Sequence, residues 1–358
     1  MPMTTIKLPT YNVYIGNDSW DILTKTVRSK NYSRIVFLVD DNTRLYCLPL
    51  VLLKTNFLDA EIITIPSGEA YKTLETCSQI WTQLLEKGID RKALLINVGG
   101  GVIGDMGGFC ASTFKRGFDF IQLPTTLLSQ VDASIGGKLG IDFQGVKNSI
   151  GVFQNPQAVF VIPKFLETVS KREIRSGFAE ILKHGLIADA KQWTAFQKIN
   201  NLENVVWEKF LAPSLRIKQR IVKADPFEQN VRKALNFGHT IGHAIESYAL
   251  ETDTPLLHGE AIAIGLITES YLSHKVAGLP KEDLENITTY ISSIYDFYSF
   301  SKNIFPTLLE TMQQDKKNEH GNINFTLIDR IGNFQYNQQC SAELILESLG
   351  YYLGSVTL

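Results

Sequence analysis

Three of the six histidines fall within one stretch, Arg232-Lys233-Ala234-Leu235-Asn236-Phe237-Gly238-His239-Thr240-Ile241-Gly242-His243 followed by Leu257-His258-Gly259-Glu260. His239 and His243 are four apart in a segment with helical apolar spacing, which puts both imidazoles on one face about a turn apart. His258 opens a second apolar helix, from which its ring can turn back toward the first. If a carboxylate closed the cluster it would hold a divalent metal; a buried histidine pair bonded to backbone is the alternative. Glu180, in Ser176-Gly177-Phe178-Ala179-Glu180-Ile181-Leu182-Lys183-His184-Gly185, is the candidate fourth corner. A lone buried carboxylate costs several kcal/mol unless it is paired or bound to metal. An ion pair with Lys183 would satisfy it equally, and His184 is a rival ligand one turn on. The run from His239 to His243 is not a zincin signature, because Thr240 stands where that motif has its glutamate.

A second group of residues suits anions. Asn97-Val98-Gly99-Gly100-Gly101-Val102-Ile103-Gly104-Asp105 follows an apolar strand and leads into a helix. Glycines let the backbone approach a pyrophosphate, and free amides at a helix start favour its charge. The spacing departs from GxGxxG, so a merely tight connection stays open. Asp40, ending the run to Val39, stands where an acid can accept hydrogen bonds from a ribose, or cap a helix. Ser67-Gly68-Glu69-Ala70-Tyr71-Lys72 places an acid and a base three apart, by itself a solvated pair. Between Gln122 and Phe153 polar groups alternate with glycine too evenly for a core helix. Lys138 and Lys147, with Arg116 upstream, are the best candidates for a local basic cluster, a solvated turn being the alternative. Leu215 to Ala224 reads as a basic helix with Arg216, Lys218, Arg220 and Lys223, most facing solvent and one or two able to reach inward.

The elements that must position these groups alternate. Apolar runs of strand length, at Arg34 to Asp40, Glu61 to Ile65, Ala93 to Val98, Asp119 to Leu123 and Ala158 to Ile162, are separated by helical stretches, the pattern of a parallel sheet covered by helices. After Pro163 helical spacing takes over, through Tyr271 to Tyr295, and a hairpin is expected around Ile331-Gly332-Asn333. With 358 residues and 44% hydrophobic content, two domains are expected, residues 1–162 and 163–358. A formal charge of -2 gives no general field for nucleic acid. The four cysteines lack CxxC spacing and read as reduced thiols. With neither a leader-like N-terminus nor a membrane-length apolar run, the expected location is cytoplasmic.

Taken together, these motifs resemble the 3-dehydroquinate synthase family of sugar-phosphate cyclases. The resemblance spans nearly the whole chain and rests on Ser67 to Lys72, Gly99 to Asp105, Arg116-Gly117, Leu123-Pro124-Thr125-Thr126-Leu127-Leu128-Ser129-Gln130-Val131-Asp132, Gly136-Gly137-Lys138, Lys147-Asn148, Ala179 to Lys183, Leu235 to His239, Leu257 to Glu260 and Asp315-Lys316-Lys317. It implies an N-terminal Rossmann-like α/β domain binding NAD+ and a mostly α-helical C-terminal domain, with Zn2+ or Co2+ held by Glu180, His239 and His258. For NAD+ it points to Asp40, Asn42, Glu69, Lys72, Gly100, Gly101, Val102, Asp105, Thr125, Thr126, Lys138, Lys147 and Thr168. The family's substrate groups match Asp132, Lys138, Asn148, Lys183, Lys218, Arg232, Asn236, His243 and Lys316. Arg116 matches an arginine lent to a neighbouring subunit, which implies a homodimer.

The implied substrate, 3-deoxy-D-arabino-heptulosonate 7-phosphate, carries a carboxylate for Arg232 and Lys218 and a phosphate for Lys138, Asn148 and Arg116. The implied sequence is transient oxidation by NAD+, phosphate elimination, reduction, ring opening and an intramolecular aldol step, a lyase reaction with no net redox change. Two departures stand out: Leu139 replaces a threonine common in the family, and Asp225-Pro226-Phe227-Glu228 replaces a more acidic segment. The alternatives are a sister cyclase making valiolone or scyllo-inosose, a metal-dependent polyol dehydrogenase that would release NADH, and an NAD-binding subunit without activity.

Overall fold

Runs of Val, Ile, Leu and Phe bounded by polar turns become strands buried on both faces, because a parallel sheet needs crossover helices on each side. In the computed structural model, which describes residues 3–144, 146–314 and 323–355, the first nine strands are β1 (Thr4–Lys7), β2 (Asn12–Ile15), β3 (Ile35–Asp40), β4 (Glu61–Ile65), β5 (Leu94–Gly99), β6 (Asp119–Pro124), β7 (Lys138–Phe143), β8 (Val146–Phe153) and β9 (Ala158–Val161). Seven form one sheet in the order β1-β2-β9-β6-β5-β3-β4. All neighbours are parallel except β1 and β2. The five runs expected as strands are β3, β4, β5, β6 and β9, with ends within one residue. The short edge strands β1 and β2 and the antiparallel hairpin of β7 and β8 are additions.

Alternation along each strand divides the core in two. Val36, Leu38, Ile63 and Leu95 pack on one face with Met106 and Phe109. Phe37, Val39, Leu94, Ile96 and Phe160 line the other. The chain runs from β3 outward to β4, then returns to place β5 on the other side of β3. Between the carboxyl ends of β3 and β5 the strand order therefore reverses, the place where open α/β sheets form a ligand crevice. Asp40 ends β3, and Gly99 ends β5. This is a Rossmann-like α/β fold.

The helix Gly101–Thr113 lies unusually close to that sheet. A Cβ added at Gly107 would stand 2.1 Å from Asn97 Oδ1, and one at Gly108 2.5 Å from Leu139 Cδ2. Leu139 thus fills the space that Gly108 leaves, which gives the departure at 139 a packing reason.

Two compact units divide the chain. The first comprises Met1–Ser170 and Val206–Gln219, and the second Lys171–Val205 and Arg220–Leu358. A single cut near residue 162 does not include the return of 206–219 to the first unit. That return is tied down where Gln219 Nε2 donates to the Lys7 carbonyl at 3.0 Å and Lys218 Nζ to Asp132 Oδ1 at 2.8 Å. The second unit is mostly helical, and its helices include Lys171–Ala188, His239–Leu250, His258–Leu272, Lys281–Ile294 and Ala342–Gly354. The helical spacing from Tyr271 to Tyr295 is broken between residues 277 and 281, where Gly278 takes φ +89° and Pro280 follows. The expected hairpin is β10 (Asn324–Arg330) and β11 (Asn333–Gln339). All four cysteines are free thiols, and among the described residues no helix is long and apolar enough to cross a membrane.

Gly107→Ala should destabilise the first unit by about 1–3 kcal/mol, since a methyl group there meets a buried strand side chain. Urea unfolding against wild type measures it, and an unchanged midpoint would contradict the close packing described.

Candidate functional site

In the second unit, Glu180 sits midway along a buried helix with no exposed surface. Its Oε2 accepts from Lys183 Nζ. Its Oε1 faces His239 Nε2 at 3.4 Å and His258 Nε2 at 3.6 Å. Lysine pair and histidine cluster thus share one carboxylate. Nitrogens of His239, His243 and His258 all lie within 4.8 Å of one another, and ring centroids of His243 stand 5.1 Å from His239 and 5.7 Å from His258.

The far ring nitrogens fix which way these imidazoles point. His239 Nδ1 lies 3.1 Å from the Phe237 carbonyl, and His258 Nδ1 3.2 Å from Glu246 Oε2. Each carries its Nδ1 proton outward to an oxygen and turns Nε2 inward. Two imidazole Nε2 atoms and one carboxylate oxygen therefore converge, a donor set that suits zinc or cobalt. Glu246 and Glu180 outweigh the opposing effect of burial and push the His258 imidazole up to about 10. His184, the rival ligand, is wholly buried on the Glu180 helix.

Ahead of these histidines the chain makes a tight, side-chain-braced loop. Asp225 accepts from the backbone N–H groups of Gln229, Asn230 and Arg232 at 3.0, 2.7 and 3.0 Å. Burial pushes its carboxyl up, but these three donors and the Arg232 charge hold it below the usual range. The Arg232 guanidinium is buried and donates to the Pro226 carbonyl. Asn236 Nδ2 donates to Glu228 Oε1 at 3.0 Å, with Glu228 at φ +60°.

In the first unit the glycine-rich turn begins a helix that no side chain caps, so its leading amides stay available. A small cavity there is lined by Gly99, Gly100, Gly101, Asp105, Gln122 and Ser134. A Cβ added at Gly100 would stand 3.2 Å from Thr126 Cγ2, so the cradle depends on the missing side chain. Val102 lies partly buried in the same turn, and Thr125 is buried at the end of β6. Buried Lys72 donates to Asp105 Oδ2 and to Asn148 Oδ1, each at 2.7 Å. Burial works against its charge, yet the carboxylates of Asp105, Glu69 and Asp142 keep it protonated, above the ordinary lysine value. Asn148 holds φ +49° and its N–H donates to Asp142. Asp40 caps the helix Asp41–Tyr46, its Oδ1 accepting from Thr43 N at 2.7 Å, with Asn42 exposed beside it. Thr168 ends the short helix Pro163–Thr168 and its hydroxyl bonds the Phe165 carbonyl. Lys138 and Arg116 are exposed, Lys147 is half-buried, and Lys218 pairs with Asp132. Lys316 lies outside the described residues.

Residues 62–176 match the family described as 3-dehydroquinate synthase N-terminal, and residues 177–318 match 3-dehydroquinate synthase C-terminal. The chain belongs to the 3-dehydroquinate synthase family. A relative of that name from Parabacteroides distasonis is 44% identical over 95% of this chain and 97% of its own. Among solved structures, a 2-epi-5-epi-valiolone synthase from Streptomyces hygroscopicus with NAD+ and Zn2+ bound superposes at TM-score 0.84 and 22% identity, covering 98% of this chain and 99% of that one. A 2-deoxy-scyllo-inosose synthase gives TM-score 0.84 at 24% identity, with 98% and 99% covered. These two share the fold of the 3-dehydroquinate synthase family.

Three acids of this family member went unassigned from the sequence. Glu246 is seven residues beyond His239, hence on the same helix face, and that spacing was the available signal. Asp225 and Glu228 stand in the segment marked only as a departure, and nothing local shows that the chain doubles back onto them.

Glu246→Gln should weaken zinc binding about 10- to 100-fold, the usual effect of removing a carboxylate that orients a ligating imidazole. Competition with a chromogenic chelator measures this, and an unchanged constant would rule the orienting role out. For Asp225 the folded carboxyl is depressed, so its stabilisation is present above the unfolded value of about 3.9 and lost as pH falls through the lower folded value. Protection factors of the amides of residues 227–232, exchange rates corrected for the intrinsic pH dependence, should accordingly fall on acidification below about pH 4, and be lowered already at neutral pH in Asp225→Asn.

Proposed function

We propose that this chain is a 3-dehydroquinate synthase, converting 3-deoxy-D-arabino-heptulosonate 7-phosphate to 3-dehydroquinate and phosphate. The observation that carries the reading is the convergence of His239 Nε2, His258 Nε2 and Glu180 Oε1 in the second unit, in a chain of this family. Glu180, His239 and His258 would hold the divalent ion, and the glycine turn with Asp40, Asn42, Glu69, Lys72, Asp105, Thr125, Thr126, Lys138, Lys147 and Thr168 would hold NAD+. When bound, NAD+ accepts and returns a hydride, and the divalent ion favours the alkoxide form of the substrate hydroxyls.

The chain's own groups do the remainder. Arg232 and Lys218 are the cations assigned to the substrate carboxylate; the cations Lys138 and Arg116, with the amide of Asn148, are assigned to the phosphate. Lys183 donates to Glu180 Oε2 and holds that carboxylate in place. His243, half-buried beside both proposed ligands, is placed to hold or pass a proton at its ring nitrogen. Asn236, fixed by Glu228, orients the substrate, and positioning of this kind supplies much of the rate. We assign residues 1–162 chiefly to NAD+ and 163–358 to metal and substrate. A cytoplasmic homodimer sharing Arg116 completes the reading.

Purified protein with catalytic NAD+ and zinc or cobalt should release phosphate from the heptulosonate phosphate with no net NADH, and leave sedoheptulose 7-phosphate, glucose 6-phosphate and glycerol unchanged. Stoichiometric NADH from glycerol with no phosphate from the heptulosonate would end the reading in favour of a polyol dehydrogenase. Phosphate from either sugar phosphate alone would point to a sister cyclase. His258→Ala should lose bound metal together with turnover, and retained stoichiometric zinc would remove it from the ligand set.

A further inference from the structure

The helix His239–Leu250 starts without a cap of its own. Its N-cap residue is Gly238, at φ +80°, which has no side chain to offer the free amides. Those amides are taken by a residue of another helix. Glu269 Oε2 accepts from Gly238 N at 2.6 Å, and Oε1 from Ile241 N at 3.0 Å. Glu269 has no exposed surface, and a carboxylate so buried costs several kcal/mol unless it is bonded. Two backbone donors at the positive end of a helix dipole are a fitting compensation.

The two gripped amides flank His239. The same residue is held on its other side by the Phe237 carbonyl at Nδ1. Glu269 belongs to the helix His258–Leu272, three turns on from His258 itself. That helix therefore presents one histidine at its start and clamps the start of the helix presenting the other. The crossing is a backbone contact, because a Cβ added at Gly265 would stand 1.8 Å from the Gly238 carbonyl oxygen and one at Gly242 2.9 Å from Ile262 Cδ1. Packing there fixes the distance between the two helices but leaves rotation of the first turn open. A two-pronged bond at residues 238 and 241 closes that freedom.

We propose that Glu269 is a positioning residue, a cap reaching from one helix to the next, that sets the direction of His239 Nε2 relative to His258 and so the affinity and geometry of the metal site. This rests on the reading of His239 and His258 as metal ligands. The test uses the full chain carrying Glu269→Gln, with Ser270→Ala as a control. Ser270 is equally buried on the same helix, and its hydroxyl bonds its own turn, at the Leu266 carbonyl. Two quantities are measured: hydrogen exchange of the peptide spanning 238–241 in metal-free protein, and Co2+ affinity with its visible absorption.

Glu269→Gln should exchange at 238–241 about tenfold faster, bind Co2+ about tenfold more weakly and show an altered visible band, in line with the usual cost of loosening a ligand's support. Ser270→Ala should change neither exchange nor spectrum, whatever its melting temperature. Wild-type exchange in Glu269→Gln, or wild-type Co2+ affinity and band, overturns the proposal while leaving the metal reading intact. Wild-type protein that takes up no Co2+ overturns the metal reading, and the role of Glu269 in a metal site falls with it. If Glu269→Gln does not fold, Glu269→Asp, which keeps the charge on an arm too short for both amides, is judged by the same two readouts.

Discussion

Burying the Glu180 carboxylate constrains the second unit more than any other interaction. Transfer of an unpaired carboxylate from water would cost more than a domain's whole margin of stability. Its two oxygens face different directions, Oε2 toward Lys183 on the same helix and Oε1 toward imidazoles from two others at 3.4 and 3.6 Å. Bringing three helices that near leaves no room for side chains at their crossings. Gly259 stands so close to Ser176 that an added Cβ would lie 1.8 Å from the Ser176 carbonyl oxygen, and Gly265 meets Gly238 in the same way. Polar buried residues, glycine at each crossing and capping from outside the helix are thus one requirement met in three places.

The first unit meets the opposite demand. Residues 99–101 are glycine and the following helix has no side-chain cap, which leaves open backbone at the end of β5, the setting that favours an anion. Charge is supplied by a relay set back from the turn, where Lys72 ties Asp105 on the helix to Asn148 on β8. That relay joins the glycine turn to the hairpin carrying Lys138 and Lys147. The sheet, the turn and the basic hairpin hold one another in register.

Much of this was legible in the sequence because it is local. Period-two and period-3.6 patterns mark the strands and helices, and the interval from His239 to His243 marks a shared face. What resisted was whatever depends on distant pairing. For Glu180 the sequence offers an ion pair with Lys183 or a corner of the histidine cluster, and the fold uses one oxygen for each. Asp40, for which the sequence allows a ribose contact or a helix cap, caps the helix Asp41–Tyr46 with Oδ1. The short strands β1 and β2 lack enough residues to show alternation, and the second excursion into the first unit, at 206–219, is invisible without the bonds from Lys218 and Gln219. Glu246 and Glu269 look like ordinary helix glutamates until their partners arrive from another helix.

The two histidines that face Glu180 are not held alike, and the difference has chemical weight. His239 rests its Nδ1 on a backbone carbonyl, which fixes the tautomer without adding charge. His258 rests on the Glu246 carboxylate, which with Glu180 raises its affinity for a proton far above that of an ordinary imidazole. Were the proposed ion bound at the His258 Nε2, it would compete with a proton for one lone pair, so the more basic imidazole would also have the more to give up on taking it. The His258 ring thus lies between two buried carboxylates, its Nδ1 3.2 Å from Glu246 and its Nε2 3.6 Å from Glu180. Phe237 and Glu246 hold the far nitrogens of the two rings, and Glu269 holds the amides of Gly238 and Ile241 around His239.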